Sequence, residues 1–305
     1  MRDVAGFATQ KLPTDMTTVP LRVRRRRNRW VIPSALVMVL LVVIVVAIRQ
    51  IGAEDWRTGC TEFTPAPEEA PGLQDARTAL LDVGHDPVLS MEILDLDTCV
   101  TALSWKNELA HPTASVVKLL IALDLLQRTP SNSEAVRNDV TAMLSRSDDA
   151  VASRLWQEAG GPAIVTRQAQ ALGLTHTRPP AAAGRWGSTM MSASDVSRVY
   201  RHIAGSLDAE DRALLTSAMG EAPRTAADGF DQHFGVPDGV PGATWAVKQG
   251  WGSADGRRVL HSTGFVKLGH VYAVTLLSSW RQDVDLAAAS AALTKAAGAV
   301  RAAMS

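Results

Sequence analysis

The chain has 305 residues, of which 46% are hydrophobic, and its 31 Lys+Arg are matched by 31 Asp+Glu. A formal net charge of zero leaves no overall basic excess for nucleic acid, and the length is ample for a large buried core.

The charge is unevenly distributed. Within the first 29 residues, eight basic side chains (Arg2, Lys11, Arg22, Arg24, Arg25, Arg26, Arg27 and Arg29) face only Asp3 and Asp15, a balance of +6. Residues 30–48 then carry no charge at all. At about 1.5 Å per residue this stretch spans roughly 28 Å, close to the hydrocarbon thickness of a bilayer. Because the arginines precede the span, the positive-inside tendency puts residues 1–29 in the cytoplasm as a basic tail and everything after residue 48 outside. A cleaved signal peptide is the alternative, but the apolar stretch exceeds its usual ~7 to 15 residues. The part beyond the span is left near −6, which excludes nucleic acid as its partner.

Residues 49–72 are rich in Pro, Glu, Thr and Ala, as in Pro65-Ala-Pro67-Glu-Glu-Ala-Pro71, and read as an extracytoplasmic linker. Folding resumes at residue 73, and 73–305 suits one domain without internal repeats. The cysteines, Cys60 and Cys99, both fall in the exported part, where oxidising conditions favour a bridge; two unrelated thiols are the alternative.

In chain order, the pattern predicts a short helix over 74–81 and a hairpin of strands 88–96 and 100–105 around the Asp97-Thr-Cys99 turn. A helix over 115–126, apolar nearly throughout, should be buried on most sides. Helices are predicted over 133–144, 149–158, 162–172 and 194–205. Strands follow at 244–248, 259–266 and 271–277, before an Ala-rich helix over about 283–304. Strands at both ends around a helical middle imply an α+β fold: one antiparallel sheet flanked by the first and last helices, an all-helical lobe, and a cleft between them.

Three short motifs stand in order along these elements: Ser115-Val-Val-Lys118, Ser147-Asp-Asp149 and Lys248-Gln-Gly250. On a helix, residues i and i+3 share one face, so Ser115 and Lys118 should touch. A serine hydroxyl needs a neighbour to take its proton before it attacks, and a lysine inside an apolar run needs a reason to be there. A helix cap followed by an exposed lysine is the plainer alternative for this pair.

The order Ser-x-x-Lys, Ser-Asp-x, Lys-x-Gly, with a hairpin before the first motif, a strand carrying the third and a long final helix, resembles the class A β-lactamase and penicillin-recognising serine hydrolase superfamily. The likeness runs from about residue 75 to the C-terminus and is similar in particular to membrane-anchored, β-lactamase-like serine hydrolases of actinobacteria, through Lys248-Gln-Gly-Trp251. It implies a β-lactamase/transpeptidase-like fold and a set of roles. Ser115 would be the nucleophile and Lys118 its base, kept neutral by burial and by Lys248 nearby. Ser147 would relay the proton to the leaving group, and Lys248 would attract the substrate carboxylate. The amides of Ser115 and Trp251 would form the oxyanion hole. Asp149, Gln249, Gly250, Trp251 and Thr263, or Ser262 beside it, would line the substrate cleft; Trp186 and Trp251 would form its walls, a place in the buried core being the alternative for both. The implied partners are a peptidoglycan stem peptide or a β-lactam, with no metal and no cofactor.

Three departures bear on activity. Asp149 replaces the family's usual asparagine and offers only acceptors when ionised. Gln249 replaces a hydroxyl residue. Between Glu158 and Asp195 there is no Asp or Glu to activate the deacylating water, and His176 is the sole candidate base there. Two readings follow: a membrane-anchored hydrolase that forms an acyl-enzyme on Ser115, or a catalytically inactive relative that binds wall peptide or a protein partner.

Overall fold

The computed structural model describes residues 56–304. The basic tail, the apolar span over 30–48 and the start of the linker lie outside the described residues. Among the described residues no helix is long and apolar enough to cross a membrane.

Helix α1 (Leu73–Leu81) leads into the hairpin β1 (Val88–Asp95) and β2 (Val100–Trp105), followed by the short β3 (His111–Pro112) and a 3₁₀ turn over Ala114–Val117. The helical lobe comprises α2 (Lys118–Arg128), α3 (Glu134–Ser145), α4 (Asp149–Glu158) and α5 (Ala163–Leu172). A long loop then passes a second 3₁₀ turn at Trp186–Ser188 and reaches β4 (Met190–Met191), α6 (Ala193–Gly205), α7 (Ala209–Gly220) and the single-turn α8 (Val236–Gly239). Strands β5 (Thr244–Ala254), β6 (Arg257–Leu268) and β7 (His270–Arg281) precede the final helix α9 (Leu286–Val300) and a closing 3₁₀ turn.

The five long strands form one antiparallel sheet in the order β2-β1-β7-β6-β5. The first hairpin thus joins the last three strands through β1 and β7. The strand alternation sorts side chains into two cores. Phe265 joins α2, α6 and the helical lobe on one face, while Leu260 and Val266 join Trp280 and the terminal helices α1 and α9 on the other. With both faces covered, β7 is buried without interruption from Val271 to Trp280, its polar Thr275, Ser278 and Ser279 included. Helix α2 buries Leu119, Leu120, Ile121 and Leu123 almost completely, each worth roughly 1.5–3 kcal/mol.

Several predicted boundaries shift. The helix expected over 115–126 begins as the 3₁₀ turn, and its α-helical part starts at Lys118. Helix α7 escapes the sequence pattern because Arg212 and Thr216 are buried alongside Leu214, Leu215 and Met219, which leaves no clean apolar stripe. Its N-cap was legible: the Asp208 side chain accepts the Asp211 N–H. The linker reading to residue 72 also needs adjusting. Trp56 is buried against Phe265, Cys60 is bridged to Cys99, and Thr64 pairs with Val100, so residues 56–64 lie on the domain.

The start of α2 is held from behind by β5 and β6. A side chain at Gly250 would place Cβ 2.8 Å from the Thr113 carbonyl oxygen and 3.1 Å from the His261 ring. His261 Nε2–H donates to the Pro112 carbonyl at 2.7 Å, and its Nδ1 accepts the Ser278 N–H at 3.2 Å. Both bonds together require the neutral Nε2–H tautomer. His111, also buried, meets Ser90 Oγ at 2.8 Å and lies edge-on to His261. Burial pushes His111 down to about 3, assisted by charge on His261 and Arg257, and burial pushes His261 down to about 4.

Two predictions follow from this support. The unfolded chain takes up protons on these histidines below about pH 6.5 while the folded one does not, so stability falls as pH drops from 6.5 toward 4, at about 1.4 kcal/mol per pH unit for each ring. Glu92, whose carboxyl burial raises, acts with the opposite sign, so the comparison is with His111→Asn: urea unfolding of that variant should have a slope against pH smaller by about 1.4 kcal/mol per unit, and equal slopes would contradict the assignment. Gly250→Ala should destabilise by about 1–3 kcal/mol, since the clash is with backbone rather than a flexible side chain; an unchanged thermal midpoint would show that the turn yields freely.

Candidate active site

Two non-glycine residues in left-handed backbone mark the site. Ala114 has φ 45° immediately before Ser115, and Ser147 has φ 56° itself. Such conformations are costly for residues with a Cβ and persist where the surrounding structure imposes them. The Ala114 kink sets Ser115 at the head of the 3₁₀ turn. The Ser147 kink separates α3 from α4, whose N-cap Asp148 accepts the N–H groups of Ala150 and Val151. With α4 capped this way, Ser147 projects back toward α2.

Ser115, Lys118, Ser147 and Lys248, drawn from all three motifs, meet in one chain of hydrogen bonds. Lys118 Nζ donates to Ser115 Oγ at 3.0 Å and to Ser147 Oγ at 3.0 Å. It also reaches the Ser147 carbonyl at 2.7 Å. From the other side, Lys248 Nζ donates to Ser147 Oγ at 3.0 Å and to the Gln249 carbonyl at 3.1 Å. Ser147 Oγ therefore receives two N–H groups and keeps its own O–H free to donate. All four residues are buried. Burial lowers the Lys118 ammonium from its ordinary range, and burial with the neighbouring Lys118 charge takes Lys248 well below its own.

Ser115 opens onto a cleft of about 340 Å³ walled by Asp149, Arg185, Trp186, Asp228 and Trp251. Trp186 comes from the loop before β4, where its Nε1–H donates to Ser153 Oγ. Trp251 stacks on Phe230 at 5.0 Å and donates Nε1–H to Asp228 at 2.9 Å. The indole faces also meet the lysines: Lys118 Nζ lies 5.0 Å from the Trp186 ring centre and Lys248 Nζ 5.8 Å from that of Trp251. Phe230 and Asp228 were not singled out from sequence, because they lie in a loop with no regular pattern.

Several expected cleft residues lie elsewhere. Gln249 alternates away from Lys248 along β5 and is buried, its Nε2–H donating to the Phe234 carbonyl at 2.5 Å. Thr263 faces Lys248 across the β5–β6 register and is fully buried, donating to the Lys248 carbonyl and meeting the Tyr200 hydroxyl. Ser262 is covered by Gly235 and accepts the Val236 N–H. Gly250 serves close packing against Thr113 rather than forming a wall. Lys248, expected to attract a carboxylate from the cleft, is 1% exposed and spends its protons inside the protein.

Asp149 does line the cleft, but its Oδ1 is 2.6 Å from Lys118 Nζ. The base expected to be neutral through burial thus also has a carboxylate partner, which opposes the effect of burial. His176 is directed to Glu108 at 4.0 Å and is not among the residues that line the cleft. Asp195, the acid just beyond that loop, is fully buried and staples it by accepting the N–H groups of Thr175 and His176 and the Thr177 hydroxyl.

No family model matches the chain. It is 35% identical over 216 residues, 68% of each protein, to LppW, a lipoprotein by name, of Mycobacterium tuberculosis and Mycobacterium bovis. Among solved structures, the class A β-lactamase from Mycobacterium abscessus superposes with a TM-score of 0.63 at 17% identity, covering 76% of this chain and 99% of that one. A β-lactamase from Streptosporangium roseum gives 0.61 at 16% identity over 76% and 98%, and PBP-A gives 0.57 at 19% identity over 77% and 97%. By sequence the chain belongs to the family of LppW, and its fold is that of the class A β-lactamases and penicillin-recognising serine hydrolases.

Proposed function

We propose that the protein is a membrane-anchored, extracytoplasmic serine hydrolase that forms an acyl-enzyme on Ser115 with D-alanyl peptides of the cell wall, and with β-lactams that mimic that bond. The observation that carries this reading is the continuous chain Ser115 Oγ, Lys118 Nζ, Ser147 Oγ, Lys248 Nζ, with 3.0 Å at every step. Four polar side chains buried at such cost, two of them lysines, are economically explained by proton transfer.

In this reading the Ser115 hydroxyl gives its proton to the Lys118 amine as Oγ attacks the acyl carbon. The oxyanion would be met by the amides of Ser115 and Trp251, each such donor being worth about 3 kcal/mol when well placed. The Ser147 O–H, left free by its two N–H partners, passes a proton to the departing nitrogen. Lys248 holds Ser147 in place. The chemistry requires neither metal nor cofactor. Trp186 and Trp251 would flank the bound peptide and Asp149 would stand at its edge. With no acid in the loop that carries Trp186, and with His176 turned away, release of the acyl group has no evident base, which favours a long-lived adduct over efficient β-lactam hydrolysis.

The location belongs to the same proposal: residues 1–29 as cytoplasmic tail, 30–48 as single-pass anchor, a linker from 49 and the hydrolase domain to 305. The basic cluster before the apolar span supports the anchor and its orientation, while the Cys60–Cys99 bridge and the lipoprotein name of the relative support a membrane-associated, extracytoplasmic domain.

Intact mass of the full chain in detergent, followed after mixing with benzylpenicillin, should show an adduct that Ser115→Ala abolishes while thermal unfolding stays cooperative. Labelling that survives would remove Ser115 from the role, and no labelling of the wild type would favour a non-catalytic binder of wall peptides or of a protein partner. Lys118→Ala should slow acylation by ~10² or more, as loss of a general base does; an unchanged rate would require another base.

A further inference from the structure

The Lys118–Asp149 pair is the feature of the cleft that the acyl-transfer reading does not use, and it works against it. Lys118 Nζ has four oxygen neighbours: Ser115 Oγ, the Ser147 carbonyl, Ser147 Oγ and, at the shortest distance of 2.6 Å, Asp149 Oδ1. The carbonyl and the carboxylate only accept, so both call for N–H from nitrogen, and an ammonium satisfies them with a proton to spare for a hydroxyl. A neutral amine able to receive the Ser115 proton would have to turn its lone pair to Ser115 while both remaining N–H groups served the other oxygens. The Asp149 negative charge at hydrogen-bond distance favours the ammonium.

The other charges around Lys118 leave Asp149 as the dominant one. Asp148 acts at longer range and is occupied as the α4 cap; Asp228, from the opposite wall, is held by Trp251; Lys248 opposes a second positive charge across Ser147. Asp149 itself is 66% exposed in the cleft and sits in the first turn of α4.

We propose that Asp149 is a positioning residue that acts as a partial lock on the acylation machinery: by pairing with Lys118 it favours the protonated form of that nitrogen and slows acylation of Ser115 in the free protein. The proposal rests on the reading of Ser115 as nucleophile and Lys118 as base. In the reaction, the Ser115 O–H bond breaks, its proton forms the new N–H of Lys118, the Oγ–acyl bond forms and the carbon–nitrogen bond of the donor breaks, with Ser147 supplying the proton to the leaving nitrogen and recovering one from Lys118. A Lys118 that already carries its third proton has no lone pair for the first of these steps. Lys118 must first lose that proton to water, and Asp149 opposes the loss.

The test is the rate of benzylpenicillin acylation, by intact mass, of the full-length wild type, Asp149→Asn and Asp149→Ala between pH 5 and 10. Both variants remove the charge, but only asparagine adds an N–H that a substrate carbonyl could use. The lock predicts that both acylate faster at pH 7, by about tenfold for each unit by which the base is freed, and that the acid limb of the rate profile moves to lower pH in both. Acceleration by Asn without Ala would make the gain a substrate contact and overturn the proposal. So would unchanged rates and profiles, or slower labelling in both variants at an unchanged thermal midpoint, which would make Asp149 a participant in the reaction. An absence of adduct in all three proteins at every pH would take down the Ser115 reading, and the lock with it; the other outcomes leave that reading standing.

Discussion

Burying two lysines side by side is the constraint around which this molecule is arranged. Neither ammonium can leave water without partners, and their mutual repulsion adds to the cost. One hydroxyl, Ser147 Oγ, accepts from both. It can do so only because residue 147 adopts a left-handed backbone that turns its carbonyl and side chain together toward Lys118. The break between α3 and α4, the capping by Asp148 and the packing of the loop through Gln232, whose amide donates to the Ser145 carbonyl, all hold that turn. On the other side, the left-handed Ala114 and the neutral His261 hold the turn bearing Ser115. Strain at two points is thus held by rigid elements on both sides of the cleft.

Much of this was legible in the sequence, and the parts that were not share a cause. The hairpin over 88–105 and the helices from Asp149 to Glu158 and from Ala163 to Leu172 follow from periodicity and sit where expected. The Ser115–Lys118 contact follows from spacing, and a 3₁₀ turn preserves it because i and i+3 still share a face. Side-chain direction at a strand is a different matter. Gln249 and Thr263 were read as cleft residues because they belong to or neighbour the third motif, but the pleat turns Gln249 to the opposite face from Lys248, and Thr263, on the same face as Lys248, is covered by Tyr200. Asp149 was read for what it would offer a substrate. Its actual partner, Lys118, is 31 residues away and becomes a neighbour only when α4 docks on α2. Tertiary contacts of this kind have no local signature.

The cleft that results carries an unbroken hydrogen-bond chain from Ser115 to Lys248, while residues 173–190 bring no carboxylate of their own. The loop from Gly173 to Met190 brings Trp186 over Lys118, yet Asp195, the acid just beyond it, is consumed in holding the loop to α6. A carboxylate fully buried and satisfied by two amides and a hydroxyl gains its stability from those bonds and has no reach to a water at Ser115. The loop is therefore built as a wall, with Gly187 packed against Ala114, and it carries no acid of its own.

The two aspartates that follow Ser147 divide the work at one helix end. Asp148 spends its carboxylate on backbone amides and so fixes where α4 begins. Asp149, one residue on, cannot reach the same amides and turns to the Lys118 side instead, in a position that the helix N-terminus already favours for negative charge. An asparagine there would forgo both the charge that suits the helix N-terminus and the ion pair. The aspartate makes the opposite choice: it stabilises a buried ammonium that the fold would otherwise have to carry with hydroxyl and carbonyl partners alone. Where catalysis needs a poised neutral amine and the folded state gains from a charged, paired one, the residue at 149 decides the balance.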